Sequence, residues 1–327
     1  MMWTRHKAVI IAAAVVILAG LVTGLVLALG GGQAKKASAT LSAQEVRSPF
    51  TGEPVRSLNR VLAVKIDNIV HARPQTGLTR ADIVYVLPVE GGLSRFLAIF
   101  SSDYPAVVGP VRSAREDDLQ VLRQFGRPAF AYSGATPALL RYIHRTARIV
   151  DLYAGTASGY YRDNNRVAPY NLYAHTGQLL AQAVGASRAR DIGFRFGPPP
   201  PGGTVTRSAP VSYPAASFRF TWSAARGGWL VSMDGRQAVT TDGGPLAPAT
   251  VVIQHTTVRT SRFLEYGKRP PFAESVGSGT AEVLRDGRAW MTRWSRRNQE
   301  AGTTFTTASG QPMTFAAGQV WIVLAYP

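Results

Sequence analysis

Three stretches of the chain combine glycine, arginine and a carboxylate at places where the backbone must turn. Arg73-Pro74-Gln75-Thr76-Gly77 runs on to Ala81-Asp82, Glu90-Gly91-Gly92-Leu93-Ser94-Arg95 follows an apolar run, and Gly109-Pro110-Val111-Arg112-Ser113-Ala114-Arg115 precedes a helical pattern. Backbone N–H groups at the start of a helix, guanidinium forks and glycines that permit close approach can together hold a phosphate, a sulfate or a carboxylate. Arg73, Arg95, Arg112, Ser113 and Arg115 are therefore candidate ligand contacts. Glu90 and Asp82 would orient those arginines or, in an enzyme, serve as general acid and base. The same residue types also build loop-locking ion networks, in which acids and arginines consume one another.

A second cluster, Tyr160 to Tyr173, holds four tyrosines, two arginines and three asparagines. Tyr161, Arg162, Arg166 and Asn171 could stack on sugar rings and bond to hydroxyls, or simply pack a loop over a sheet. Other chemistry is missing. There is no GxSxG, HExxH, Walker loop or EF-hand spacing, and no GxGxxG follows a strand. His6, His71, His144, His175 and His255 show no ligand spacing, and cysteine is absent. Neither a metal site nor a cofactor is expected, and the lack of cysteine removes disulfides and cysteine acylation.

The elements that must position these residues read as two units. Arg60–Ile66, Ile83–Val89 and Ser94–Phe100 are apolar strands, and Ser113–Phe125 is helical, with Glu116, Asp117 and Asp118 in its first turn where the helix dipole favours them. Thr136-Pro137 opens another helix. Strand and helix in alternation predict an α/β sandwich with a mixed sheet over 48–197. The run Gly197-Pro198-Pro199-Pro200-Pro201-Gly202-Gly203, which continues neither helix nor strand, opens a linker at 198–207. Beyond it, 208–327 alternates like half-buried strands, as in Phe218, Phe220 and Trp222. Asp234-Gly235, Asp286-Gly287 and Ser309-Gly310 mark tight turns, and an antiparallel β-rich domain is expected. Gln319–Ala325 is too apolar for an edge strand.

Ahead of these units, Ala8–Leu29 is 22 residues without a charge. As a helix rising about 1.5 Å per residue it would be roughly 33 Å long, enough for a hydrocarbon core of about 30 Å. The prediction is a cytoplasmic flank at 1–7, a transmembrane anchor at 8–29 and a linker at 30–47, with the rest exported. A cleaved secretory signal ending near Ala39 is the alternative. Of the 36 Lys and Arg, four (Arg5, Lys7, Lys35, Lys36) flank the run. That leaves 32 against 19 Asp and Glu, a net +13 on the exported part of a chain whose total is +17. Outside the cytoplasm that charge suits an anionic envelope polymer or lipid head group rather than nucleic acid.

Several motifs in fixed order resemble a family, the YerB-like bacterial lipoproteins, a domain of unknown function with N- and C-terminal parts. They are Ser48–Val55, Ala72–Leu78, Ala81–Tyr85, Val89–Gly92, Arg95-Phe96, Gly109–Arg115, Tyr161-Arg162-Asp163 and Ala168-Pro169, then Gly277–Gly279, Leu284–Arg288, Met291–Trp294 and Ala317–Ile322. The resemblance implies an envelope-exposed, two-domain protein and no particular activity. Two departures stand out: this chain lacks the family's lipobox cysteine, and it has Tyr132 and Tyr170 where members tend to have histidine. The expected function is an anchored extracytoplasmic binding module for an anionic or hydroxyl-rich envelope ligand. The alternatives are an envelope hydrolase or transferase acting on a phosphate- or glycan-containing substrate, and a scaffold recruiting another envelope protein.

Overall fold

A strand whose side chains are all apolar needs cover on both faces, and the first such run, β1 (Leu62–Asp67), is buried throughout. The computed structural model in which it lies describes residues 45–146, 148–265 and 267–326. The predicted anchor at 8–29, its flank at 1–7 and all but the last three residues of the linker at 30–47 fall outside the described residues. Among the described residues no helix is long and apolar enough to cross a membrane.

The chain continues through β2 (Ile83–Pro88), β3 (Ser94–Phe100), β4 (Val107–Val108), β5 (Ala129–Tyr132), β6 (Val150–Tyr153), β7 (Tyr160–Arg162) and β8 (Leu172–His175). Among the described residues three α-helices punctuate this part, besides short 3-10 turns: α1 (Glu116–Leu122), α2 (Pro137–Thr146) and α3 (Thr176–Gln182). After the Pro/Gly run come β9 (Thr204–Val205), β10 (Ser208–Tyr213), β11 (Ala216–Ser223), β12 (Gly228–Met233), β13 (Arg236–Gln237), β14 (Val239–Thr240) and β15 (Gly244–Pro245). The last stretch supplies β16 (Thr250–His255), β17 (Val258–Thr260), β18 (Pro271–Ala273), β19 (Gly277–Arg285), β20 (Arg288–Arg296), β21 (Thr304–Thr307) and β22 (Val320–Ala325). Asp234 (φ 50°) with Gly235 and Asp286 (φ 49°) with Gly287 take the positive φ values that two-residue hairpins require, closing β12–β13 and β19–β20.

One mixed sheet of eleven strands runs β21-β20-β19-β16-β22-β2-β3-β1-β5-β6, with β9 added beside β20. The expected fold class is corrected by this sheet. An α/β sandwich followed by a separate antiparallel β-rich domain would keep the two units' strands apart, yet β22 lies between β16 and β2 and is parallel to both. Strand also outweighs helix, 42 % to 13 % of the described residues, so the fold is mostly β. The physical reason is visible in β16 and β22. Both bury almost every side chain, as an interior strand covered on both faces does and a half-solvated one does not.

Side-chain alternation sorts the core into two layers. Leu62, Val64, Val84, Phe96, Trp321 and Val323 face the four-stranded sheet β10-β11-β12-β13, whose Phe218, Phe220 and Trp229 cover them. Ala63, Ile83, Tyr85, Leu97, Phe130 and Ile322 face the other way, toward Leu119, Leu122, Leu139 and Ile143 of α1 and α2.

Candidate functional site

β1 and β2 are both antiparallel to β3, and β5, β6, β16 and β22 run in their direction, so six strands deliver their carboxyl ends to one edge. In open α/β sheets ligands bind beyond the carboxyl ends of the strands, and in this mixed sheet the same edge is where the predicted polar residues collect. Asp67 ends β1 here, Glu90 follows β2, and the backbone from Arg112 to Ala114 is stitched across the edge. Arg112 N–H donates to Lys65 O (2.8 Å), Ser133 N–H to Arg112 O (3.0 Å), and Ala114 N–H to Gly134 O (2.9 Å). Those bonds keep Arg112 and Ser113 extended, so the helix predicted from Ser113 starts only at Glu116. Arg115 N–H donates to Asp118 Oδ2 at 2.7 Å, and Asp118 thereby caps α1.

Three predicted arginines meet here, each with acid partners. Asp67 pairs with Arg112 Nε at 2.8 Å and with Arg95 Nε at 3.7 Å. Glu90 accepts from Arg115 Nε at 2.8 Å and from a second Arg115 nitrogen, and Arg95 reaches the same carboxylate at 3.4 Å. Arg115 also lies 3.4 Å from Glu265, and Arg95 donates to Ser113 O at 3.2 Å. Three guanidinium groups thus face three carboxylates. Burial alone would raise the Glu90 carboxyl, but the Arg115 bonds and the Arg115 and Arg95 charges outweigh it and hold it at about 2. Burial and the neighbouring Arg115 lower Arg95 to about 10, which leaves it a cation at neutral pH.

Below this layer lies a pair the sequence reading passed over, Lys65 Nζ on Asp118 Oδ1 at 2.6 Å, both side chains inaccessible to solvent. A lysine in the middle of an apolar strand was the available signal, since a buried ammonium needs a carboxylate. Beside it, burial and then the Asp118 charge push the Asp117 carboxyl up to about 7. Asp67 and Glu265 were also missed, because their partners lie far along the chain.

The Tyr/Arg cluster forms the outer layer. Arg162 donates to Asn171 Oδ1 (2.6 Å), and Asn171 to Asp163 O (3.3 Å). Arg166 spans Ala72 O (3.2 Å) and Pro74 O (2.7 Å) and sits 5.7 Å from the Tyr173 ring. Arg73 grips Asn68 O (2.7 Å) and pairs with Asp234 (2.8 Å) in the β12–β13 turn. Tyr161, His175 and His71 remain exposed: Tyr161 stacks on His175 (4.9 Å) and on the buried Tyr173 (5.9 Å), and His71 stacks on the half-buried Tyr170 (5.9 Å), with Arg112 5.7 Å from the Tyr170 ring. Tyr161 is 39 % exposed, Val70 52 % and Val167 78 %.

Glycine is required where these layers touch. A Cβ on Gly109 would lie 2.6 Å from Tyr173 Cδ1. One on Gly92 (φ +73°) would lie 2.7 Å from Pro214 Cβ in the β10–β11 turn, whose Ala215 N–H donates to Gly92 O.

The predicted residues other than Asp82 therefore gather, and most of their charged groups are paired within the protein. Glu90, Arg95, Arg112, Ser113 and Arg115 form the paired layer, while Arg73, Tyr161, Arg162, Arg166 and Asn171 form the overlay. Asp82 is apart, at the opposite end of β2, where it accepts from Ser102 N–H at 2.9 Å and orients no arginine of the site. Burial raises its carboxyl to about 6 against the bonds from Ser102. Of the two tyrosines singled out in the sequence, Tyr132 is fully buried against Phe130 and Tyr153, and Tyr170 reaches the overlay. Among the described residues no three His, Asp or Glu side chains gather as metal ligands.

Comparison with known proteins places the whole described unit. Residues 50–190 match the family "Protein of unknown function (DUF3048) N-terminal domain", and residues 209–322 match its C-terminal domain. The "Putative lipoprotein YerB" of Bacillus subtilis (strain 168) is 28 % identical over 313 residues, 86 % of this chain and 86 % of the relative. The crystal structure of the YerB protein from Bacillus subtilis superposes with a TM-score of 0.73 at 23 % identity, covering 86 % of this chain and 97 % of that one, a likeness of fold.

Proposed function

The chain belongs to the DUF3048 family, and from that premise we propose that it is a membrane-associated, extracytoplasmic binding module whose Tyr/Arg face takes a hydroxyl-rich envelope ligand. The carrying observation is the pair of ring stacks, Tyr161–His175, exposed, and His71–Tyr170, in which His71 is exposed and Tyr170 half-buried, with Arg112 beside the second and Arg162 next in sequence to Tyr161. Flat rings flanked by guanidinium forks suit pyranose faces and their hydroxyls. Arg95 and Arg115 serve this face from below, holding the loops; Arg112, with 22 % of its side chain exposed, is the cation of the paired layer that can reach an anionic substituent on the ligand.

Membrane attachment is read from the apolar run Ala8–Leu29, in a chain without cysteine to acylate, and from a relative described as a lipoprotein. Deleting residues 8–29 should move the protein from the membrane fraction to the soluble one. Retention at the membrane would sink that attachment.

Catalysis finds less support than binding. At neutral pH Glu90 has no proton to donate, and Arg115 occupies both of its oxygens. The direct test is titration of the full chain in detergent with an N-acetylglucosamine oligosaccharide, followed by protein fluorescence. Tyr161→Ala, Tyr170→Ala and Arg112→Ala should each weaken binding by about tenfold, which is about 1.4 kcal/mol. Wild-type affinity in all three folded variants would overturn the reading.

A further inference from the structure

Six arginines outside the Tyr/Arg face line two adjoining hollows on the helix-covered side of the sheet. The first, about 300 Å³, lies between α1, α2 and the β17–β18 hairpin and carries Arg123, Arg148, Arg259 and Arg262. The second, about 710 Å³, shares Arg123 and Arg148 with it and adds Arg127 and Arg190. Three of the six have acid partners: Arg123 with Glu300, Arg259 with Glu274, and Arg262 with Glu116. Arg127, Arg148 and Arg190 have no acid within ion-pair distance among the described residues, which leaves the double hollow with three unbalanced cations.

The guanidinium groups are also oriented. Arg259 lies 3.7 Å from the centre of the Phe272 ring, Arg262 lies 5.2 Å from that of Tyr142, and Arg190 forks onto Gln124 O at 2.8 and 3.1 Å. Forks held in place by rings and carbonyls keep their remaining N–H groups available for phosphate oxygens, which they bind in pairs. A lone anion would need one hollow. Arginines spread over two continuous hollows suit anionic groups repeated along a chain.

We propose that this double hollow binds a linear phosphate-bearing polymer, as a second site separate from the Tyr/Arg face. Its three unbalanced cations concentrate part of the net positive charge of the chain at one place on the surface.

The test uses the full chain in detergent, with long-chain inorganic polyphosphate as probe and calorimetry as readout. The double variant Arg127→Gln/Arg148→Gln changes two exposed side chains and should weaken binding at least tenfold and flatten its salt dependence. Arg219→Gln/Arg226→Gln, at exposed positions outside the double hollow, should leave binding unchanged, as should Tyr161→Ala, which separates this site from the Tyr/Arg face. Equal losses in the two arginine double variants would reduce the site to diffuse charge and overturn the proposal. So would competition by inorganic phosphate at equal phosphate concentration, or equal binding of poly-glutamate. Phosphatidylglycerol vesicles form a last arm: vesicle binding lost in Arg127→Gln/Arg148→Gln while polyphosphate binding persists would assign the hollow to a membrane surface instead.

Discussion

Glu90 holds together residues that sequence separates widely, since Arg95, Arg115 and, through Arg115, Glu265 depend on its charge. Glu90→Gln would leave two buried guanidinium groups with one fewer carboxylate, a defect that in buried pairs costs about 3 kcal/mol. Thermal unfolding at pH 7 should therefore show a large loss. Because the folded carboxyl is held near 2, below its ordinary 4.5, its contribution is complete above pH 4.5 and is lost as the pH falls through about 2. Asp82 has the opposite sign. Burial raises it from 3.8 to about 6, so its charged form penalises the fold in full above pH 6, and the penalty fades between 6 and 3.8. Asp82→Asn should therefore gain on the wild type by up to ~3 kcal/mol in urea unfolding at pH 7.5, and the gain should vanish at pH 4. A difference equal at the two pH values would show that burial is not what governs Asp82. The arginines and Glu90 were legible as a group in the sequence. Their mutual pairing was legible as the loop-locking alternative, but two of the acids that complete it were not, because Asp67 closes an apolar strand without any local motif and Glu265 lies 150 residues from Arg115.

Elements were legible where one physical demand ruled a stretch. β1, β2, β3 and β22 follow from apolar runs, and the Asp234-Gly235 and Asp286-Gly287 turns from the φ values they impose. The start of α1 was not, since Arg112 to Ala114 serve tertiary backbone bonds and the first-turn acids serve Lys65, Arg115 and Ser261 rather than only a helix dipole. The Glu90 loop shows how elements fix one another: its Gly92 abuts the β10–β11 turn, whereas Gly91, at a similar φ of 74°, has open space, its nearest neighbour being Leu93 at 3.9 Å. Both Gly→Ala substitutions should cost about 1 kcal/mol for backbone conformation. Gly92→Ala should cost at least as much again, because Pro214 must move. Equal melting temperatures for the two variants would mean that the turn does not clamp the loop.

At the scale of the molecule the decisive contact is between β22 and β2, which belong to segments matching two different family domains yet form one parallel ladder from Ile83↔Val320 to Val86↔Val323. Pattern and composition divided the chain at the Pro/Gly run. They could not show that the last strand returns across that division, because parallel pairing over more than 230 residues leaves no local trace. If the ladder is as central as its burial implies, removing β22 does more than trim the C-terminal segment. It exposes β2, an entirely buried run of Ile-Val-Tyr-Val-Leu-Pro, as a bare edge, and separates β16 from the strands beyond it. Deletion of residues 319–327 should then abolish the single cooperative thermal transition expected of the full chain and strip hydrogen-exchange protection from the β2 amides as well as from β16. A fragment comprising residues 45–203 should likewise aggregate or unfold without cooperativity. A sharp, reversible transition in that fragment, with β2 protected, would mean that the N-terminal segment closes its own edge and that the shared sheet is an assembly of two independently stable halves.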